Sequence, residues 1–75
     1  MLTMDKIRAA LKAHGVIFEE RNGAGLREFR CYCYGYSDAC DVIHWTSEAG
    51  GWWLIDPAGN SEKLTLQGLR RWLGY

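Results

Sequence analysis

Three cysteines and a histidine are the residues of this chain whose types are suited to metal chemistry. They follow one another as Cys31, Cys33, Cys40 and His44, a C-x-C-x6-C-x3-H string. Thiolate and imidazole are zinc ligands, and a zinc ion would stabilise a domain this small. Structural zinc sites, however, usually separate paired ligands by about two to four residues in a turn. We therefore interpret the cysteines as small buried hydrophobes, expect no cofactor, and keep a zinc-stapled interaction module as an alternative.

Cys31 and His44 also have the types of a nucleophile and its general base. In the predicted sheet they face each other, but no third group that would orient the histidine is evident. Thiols in the middle of a sheet, beneath helices, are poorly placed to attack a substrate. The sequence therefore predicts that the protein is not an enzyme.

A second group of candidate residues combines an arginine with aromatic side chains. Its members are Arg30, Tyr32, Tyr34, Tyr36, Trp45 and Trp52. Tyr, Trp and Arg are enriched at the energetic centres of protein interfaces, and aromatic rings also stack on single-stranded bases. Because 9 Lys and Arg balance 9 Asp and Glu, the chain has no net field that would attract nucleic acid. The pattern favours a protein-binding site, with single-stranded nucleic acid as the alternative.

The elements that position these residues are predicted from periodicity and from turn and capping residues. Thr3 caps a helix that runs to about His14, and Thr65 caps a second helix that stops at Gly74. Four strands are predicted between the helices: Val16 to Arg21, Leu26 to Tyr34, Cys40 or Asp41 to Thr46, and Trp52 to Asp56. The short gaps favour antiparallel hairpins. The expected fold is one α+β domain over residues 1–75, a four-stranded antiparallel β meander between an N-terminal and a C-terminal helix.

Both faces of this sheet are apolar, and two helices are too narrow to cover both. Connections of four residues at 22–25, 36–39 and 47–50 assign the side chains to faces. The face expected beneath the helices carries Val16, Phe18, Phe29, Cys31, Cys33, Val42, His44, Trp53 and Ile55. The face expected to stay exposed carries Ile17, Arg30, Tyr32, Tyr34, Ile43, Trp45, Trp52 and Leu54. A change of one residue in any connection reverses the assignment beyond it.

Size and composition set the function class. The chain of 75 residues has neither the ~20-residue apolar stretch of a membrane span nor the apolar core of a signal peptide at its start, so we expect a cytoplasmic protein without membrane contact. We predict a non-enzymatic module whose aromatic sheet face docks on another protein, such as a host complex, or on a copy of itself as a homodimer. In size and composition alone it is comparable to phage-encoded stoichiometric inhibitors such as anti-CRISPR proteins.

Overall fold

A computed structural model of the chain describes residues 2–32, 40–47 and 50–74. Its elements, in chain order, are α1 (Met4–Ala13), β1 (Ile17–Gly23), β2 (Leu26–Tyr32), β3 (Cys40–Thr46), β4 (Gly51–Ile55), β5 (Ser61–Lys63) and α2 (Leu66–Leu73). The strands form one antiparallel sheet in the order β1-β2-β3-β4-β5. The predicted α+β layout is confirmed, with one strand more than expected.

The additional strand, β5, is short and polar. Its three residues pair with Trp53–Ile55 of β4. The turn before it is held by Asp56, whose carboxylate accepts hydrogen bonds from the Asn60 backbone at 2.9 Å and from its side-chain amide at 3.1 Å. The turn that follows the last predicted strand therefore returns the chain to the sheet. A run of three residues shows too little alternation to be recognised as a strand from sequence.

Both helices begin and end where their capping residues predict. Thr3 accepts a hydrogen bond from the Lys6 backbone at 3.2 Å, and Thr65 accepts one from Gly68 at 3.0 Å. Gly74 ends α2 in the left-handed conformation with φ 92°, which glycine adopts without steric cost. Neither helix is long and apolar enough to cross a membrane.

The two helices pack on the same face of the sheet, which we call the covered face. The buried residues of helices and strands join in one cluster: Ile7, Leu11, Phe29, Cys31, Ile43, Trp52, Leu54, Leu64 and Leu69. All the strand residues in this cluster belong to one of the two alternating sets, because residues that face each other across antiparallel strands point to the same side. The other set forms the open face, on which neither helix packs.

The predicted faces are correct for β1 and β2 and wrong for β3 and β4. The prediction paired Cys31 with His44, whereas the structure pairs Cys31 with Asp41, which lies three residues earlier in the chain. Because that shift is an odd number of residues, every side chain of β3 lies on the face opposite to the predicted one. The side chains of β4 exchange faces as well, because β4 pairs with β3 in the predicted register. The connection responsible, residues 33–39, lies outside the described residues.

Two predicted interface residues, Trp45 and Trp52, therefore lie on the covered face. Trp52 is only 6% exposed and belongs to the core, while Trp45 packs against the core from its edge. The Arg27 guanidinium lies 4.9 Å from the centre of the Trp45 ring, a cation–π contact at the rim of this face.

Candidate functional site: the open face of the sheet

The open face is built from rows of side chains that run across the strands, and three of these rows hold its charged and aromatic residues. The first row contains Ile17 and Tyr32; the second contains Glu19, Arg30, Val42, Ile55 and Ser61; the third contains Arg21, Glu28, His44, Trp53 and Lys63. Charged side chains predominate on β1 and β2, and apolar side chains predominate on β3 and β4. The face thus has a polar half and an apolar half.

Arginine–glutamate pairs occupy the polar half. Arg21 Nε donates to Glu19 Oε1 at 3.0 Å, and Arg30 Nε donates to Glu28 Oε2 at 3.3 Å. Each pair joins residues two apart on one strand, which point to the same face. Arg21 and Arg30 are therefore already paired with carboxylates of their own strand.

Tyr32 and His44 extend this network. The Tyr32 hydroxyl donates to Glu19 Oε2 at 2.9 Å, and this hydrogen bond, followed by that from Arg21, lowers the pKa of Glu19 below its ordinary value. His44 Nδ1 lies 3.8 Å from Glu28 Oε1, and the Glu28 side chain is only 14% exposed. The polar half thus holds two sets of interacting groups, one around Glu19 and one around Glu28.

Half-buried side chains make up the apolar half. Val42 faces Ile55 across β3 and β4, and Trp53 occupies the next row; all three are partly exposed. Ile17, on the edge strand, is 63% exposed. The indole nitrogen of Trp53 is buried and has no hydrogen-bond partner among the described residues. The open face therefore presents apolar surface that the described part of the chain does not cover.

Of the residues predicted for a protein interface, Arg30 and Tyr32 lie on the open face, and Trp45 and Trp52 lie on the covered face. Tyr34 and Tyr36 lie outside the described residues. Sequence reasoning assigned Val42, Trp53 and Ile55 to the buried side. The alternation along each strand grouped them correctly with one another, but only the β2–β3 register decides which face they occupy.

The same register separates the predicted zinc ligands. Cys31 is 2% exposed and belongs to the core beneath the helices, whereas His44 lies on the open face. Cys40 pairs with Tyr32 in the register, and Cys33 lies outside the described residues. Among residues 2–32, 40–47 and 50–74, no three His, Cys, Asp or Glu residues lie close enough together to hold a metal ion. Cys31 and His44 can neither ligate one ion nor act as a nucleophile and its base.

Comparison of the chain with protein-family models, curated proteins and solved structures found no match.

Proposed function

We propose that the protein is a non-enzymatic binding module that docks another protein on the open face of its sheet. The observation that carries the proposal is the placement of both helices on the covered face, which leaves Ile17, Val42, Trp53 and Ile55 partly or largely exposed on the other. Apolar surface gathered on one face of a small protein usually marks an interaction site.

The charges of the open face favour a protein over a nucleic acid. A groove for single strands needs cations that are available to phosphates. Here two of the three lysine and arginine side chains, Arg21 and Arg30, form ion pairs with Glu19 and Glu28. A strand of nucleic acid would have to displace these carboxylates or bring its phosphates close to them. A partner with an apolar centre and charges of both signs at its rim meets no such penalty.

The size of the face sets the expected strength of binding. Its strands β1, β2 and β3 have seven residues each, whereas β4 has five and β5 has three. At ~3.3 Å per residue and ~4.8 Å between strands, the face is roughly 20 Å across in each direction. A stable interface buries about 800 Å² of accessible surface on each partner. We therefore expect a tight complex to involve a partner that also contacts the surface beside this face.

The stoichiometric, anti-CRISPR-like inhibitor and the cytoplasmic location stay predictions. An inhibitor needs a binding face, and so does any other interaction module. The open face therefore does not distinguish between them.

Photo-crosslinking tests the proposal directly. Benzoylphenylalanine introduced at Trp53 should crosslink the partner in a lysate of the source cells, while the same group at Gln67, exposed on α2, should not. The captured protein is then purified and its affinity measured. Ile55→Asp should weaken binding by about tenfold or more, because it places a charge in an apolar contact.

Leu66→Asp is the matched control, because Leu66 is 38% exposed and lies on α2, away from the open face. Its affinity for the partner should equal that of the wild-type protein. Equal loss in both variants, or loss in Leu66→Asp alone, would contradict the proposal. Crosslinking of position 53 only to a second copy of the chain would replace the proposed partner with a homodimer.

A further inference from the structure

A cleft of about 380 Å³ lies at the end of the sheet where α1 and α2 both finish. Its lining includes His14 and Val16 from the turn after α1, Ile17 from the start of β1, Tyr32 from the end of β2, Asp41 from β3 and Trp72 from α2. The volume lies near the lower end of the ~300–1,000 Å³ range of small-molecule sites. Any ligand that enters is therefore small.

Asp41 is the acidic side chain of this cleft. It is partly buried on the covered face. Burial, and after it the negative charge of Asp56, raise the pKa of Asp41 above its ordinary value, against a smaller lowering by the Trp72 side chain. No Lys, Arg or His of the described residues forms an ion pair with this carboxylate within 4.0 Å.

Asp56 does not offset the charge of Asp41 but adds to it. Its own carboxylate accepts hydrogen bonds from Asn60, which lower its pKa and keep it ionised. Both carboxylates line a second, adjoining cleft, which also shares Trp72. The end of the sheet thus combines negative charge with aromatic and aliphatic walls.

We propose that this cleft binds a small organic ammonium ion, with Asp41 as its counter-ion and Trp72 beside its apolar stem. An ammonium group supplies the positive charge that the Asp41 carboxylate lacks, and aromatic rings attract cations in addition. Anions are repelled by Asp41 and Asp56. A neutral molecule of the same shape gains only the apolar contacts. This site adjoins the open face at Ile17 and Tyr32, but the proposed ligand does not depend on the role of that face.

The test is an NMR titration of the full chain, labelled with 15N, with n-butylammonium chloride at constant ionic strength. Saturable shifts are expected for the Trp72 indole N–H and for the amides of Val16 and Asp41, with the millimolar affinity of so small a probe. Butan-1-ol, the neutral probe of similar shape, should bind more weakly by about threefold to tenfold, the range of a partly buried ion pair. Shifts that fail to saturate, or equal binding of the alcohol, would overturn the proposal.

Asp41→Asn keeps the size and polarity of the side chain and removes the charge. It should reduce butylammonium affinity to that of the alcohol, whereas Asp5→Asn, which removes an exposed charge on α1, should leave it unchanged. Unchanged affinity in Asp41→Asn would contradict the assignment of the counter-ion. Should this variant fail to fold, the difference in affinity between butylammonium and butan-1-ol for the wild-type chain tests whether the site requires a positive charge.

N-acetyl-lysine amide, the third probe, distinguishes the source of the ammonium group. Binding equal to that of butylammonium indicates a lysine side chain of a protein, and weaker binding indicates a free amine. Both results support an ammonium site.

Discussion

Glu28 and His44 face each other across β2 and β3 on the open face, with 3.8 Å between Glu28 Oε1 and His44 Nδ1. This pairing follows from the register of β2 and β3. It places Trp53, the partner of His44 on β4, on the same open face. The division of the molecule into a covered and an open face depends on this register.

Two isoleucine substitutions test that division. Ile43 is fully buried on the covered face, whereas Ile55 is half-buried on the open face. Ile43→Ala should lower the free energy of unfolding by about 2–5 kcal/mol, because it leaves a cavity in the core. Ile55→Ala should cost clearly less, since water can occupy the vacated space. Urea denaturation of both variants measures the difference, and equal losses would refute the assignment of faces.

Asp41→Asn should stabilise the protein at neutral pH. The pKa of Asp41 is raised above its ordinary 3.8, mainly by burial, so its ionised form is less favourable in the folded than in the unfolded chain. Stability is therefore lost as pH rises from 3.8 through the folded pKa. The gain in the variant should stay below about 1 kcal/mol, because water screens a partly exposed group. Thermal melts at pH 7 and pH 3 should show the gain only at pH 7; a lower melting temperature at pH 7 would contradict it.

Asp56→Asn should have the opposite sign. Hydrogen bonds from Asn60 hold the pKa of Asp56 below its ordinary 3.8, so the ionised carboxylate stabilises the turn above that pH. This contribution disappears as pH falls through the folded pKa. The variant should melt lower than the wild-type protein at pH 7 and approach it in acid. Equal melting temperatures at pH 7 would show that the turn before β5 does not need the charge.

Thr65→Ala should remove the N-cap of α2. The Thr65 side chain accepts a hydrogen bond from Gly68 at 3.0 Å, and loss of such a cap costs about 1 kcal/mol. Thr65→Ser retains the hydroxyl and should cost much less, which makes it the control. Urea denaturation distinguishes the two, and identical losses would mean that the cap does not stabilise the helix.

Single-stranded DNA should show little affinity for the open face. Fluorescence anisotropy with a labelled oligonucleotide at about 50 and 200 mM salt measures any binding. Affinity that falls steeply between these concentrations and is lost in Arg30→Ala would favour the nucleic-acid alternative over a protein partner. Glu28→Gln, which frees Arg30 from its pair, should raise any residual affinity.

Local signals in the sequence predicted most of the fold. Both helices were predicted from their caps at Thr3 and Thr65 and from the glycine at position 74. The four longer strands were predicted from the alternation of their residues. The turn before Leu26 differs from the prediction by two residues, because the hairpin closes over Ala24 and Gly25 with positive φ at both. An even change keeps the faces, so Phe18, Phe29 and Cys31 were correctly expected on the covered face.

The candidate site was predictable only in part. Arg30 and Tyr32 lie on the strand whose face was correct. Trp53 and His44 follow a connection whose pairing register no local signal fixes. The observed register differs from the predicted one by an odd number of residues, which places both side chains on the face opposite to the predicted one. The surroundings of Asp41 could not be predicted from its neighbours in the sequence. Its cleft joins the ends of two helices and three strands that are distant in sequence. Contacts of this kind depend on the assembled fold rather than on periodicity.

The most direct test of the open face is a solvent relaxation measurement on the methyl groups of the free protein. A soluble gadolinium chelate broadens methyl signals according to their distance from water. The methyl groups of Ile17, Val42 and Ile55 should relax strongly, and those of Ile43 and Leu54, which are 0% and 9% exposed, should be protected. Protection of Val42 and Ile55 equal to that of Ile43 would show that this face is covered in solution and would contradict its proposed role as a docking surface.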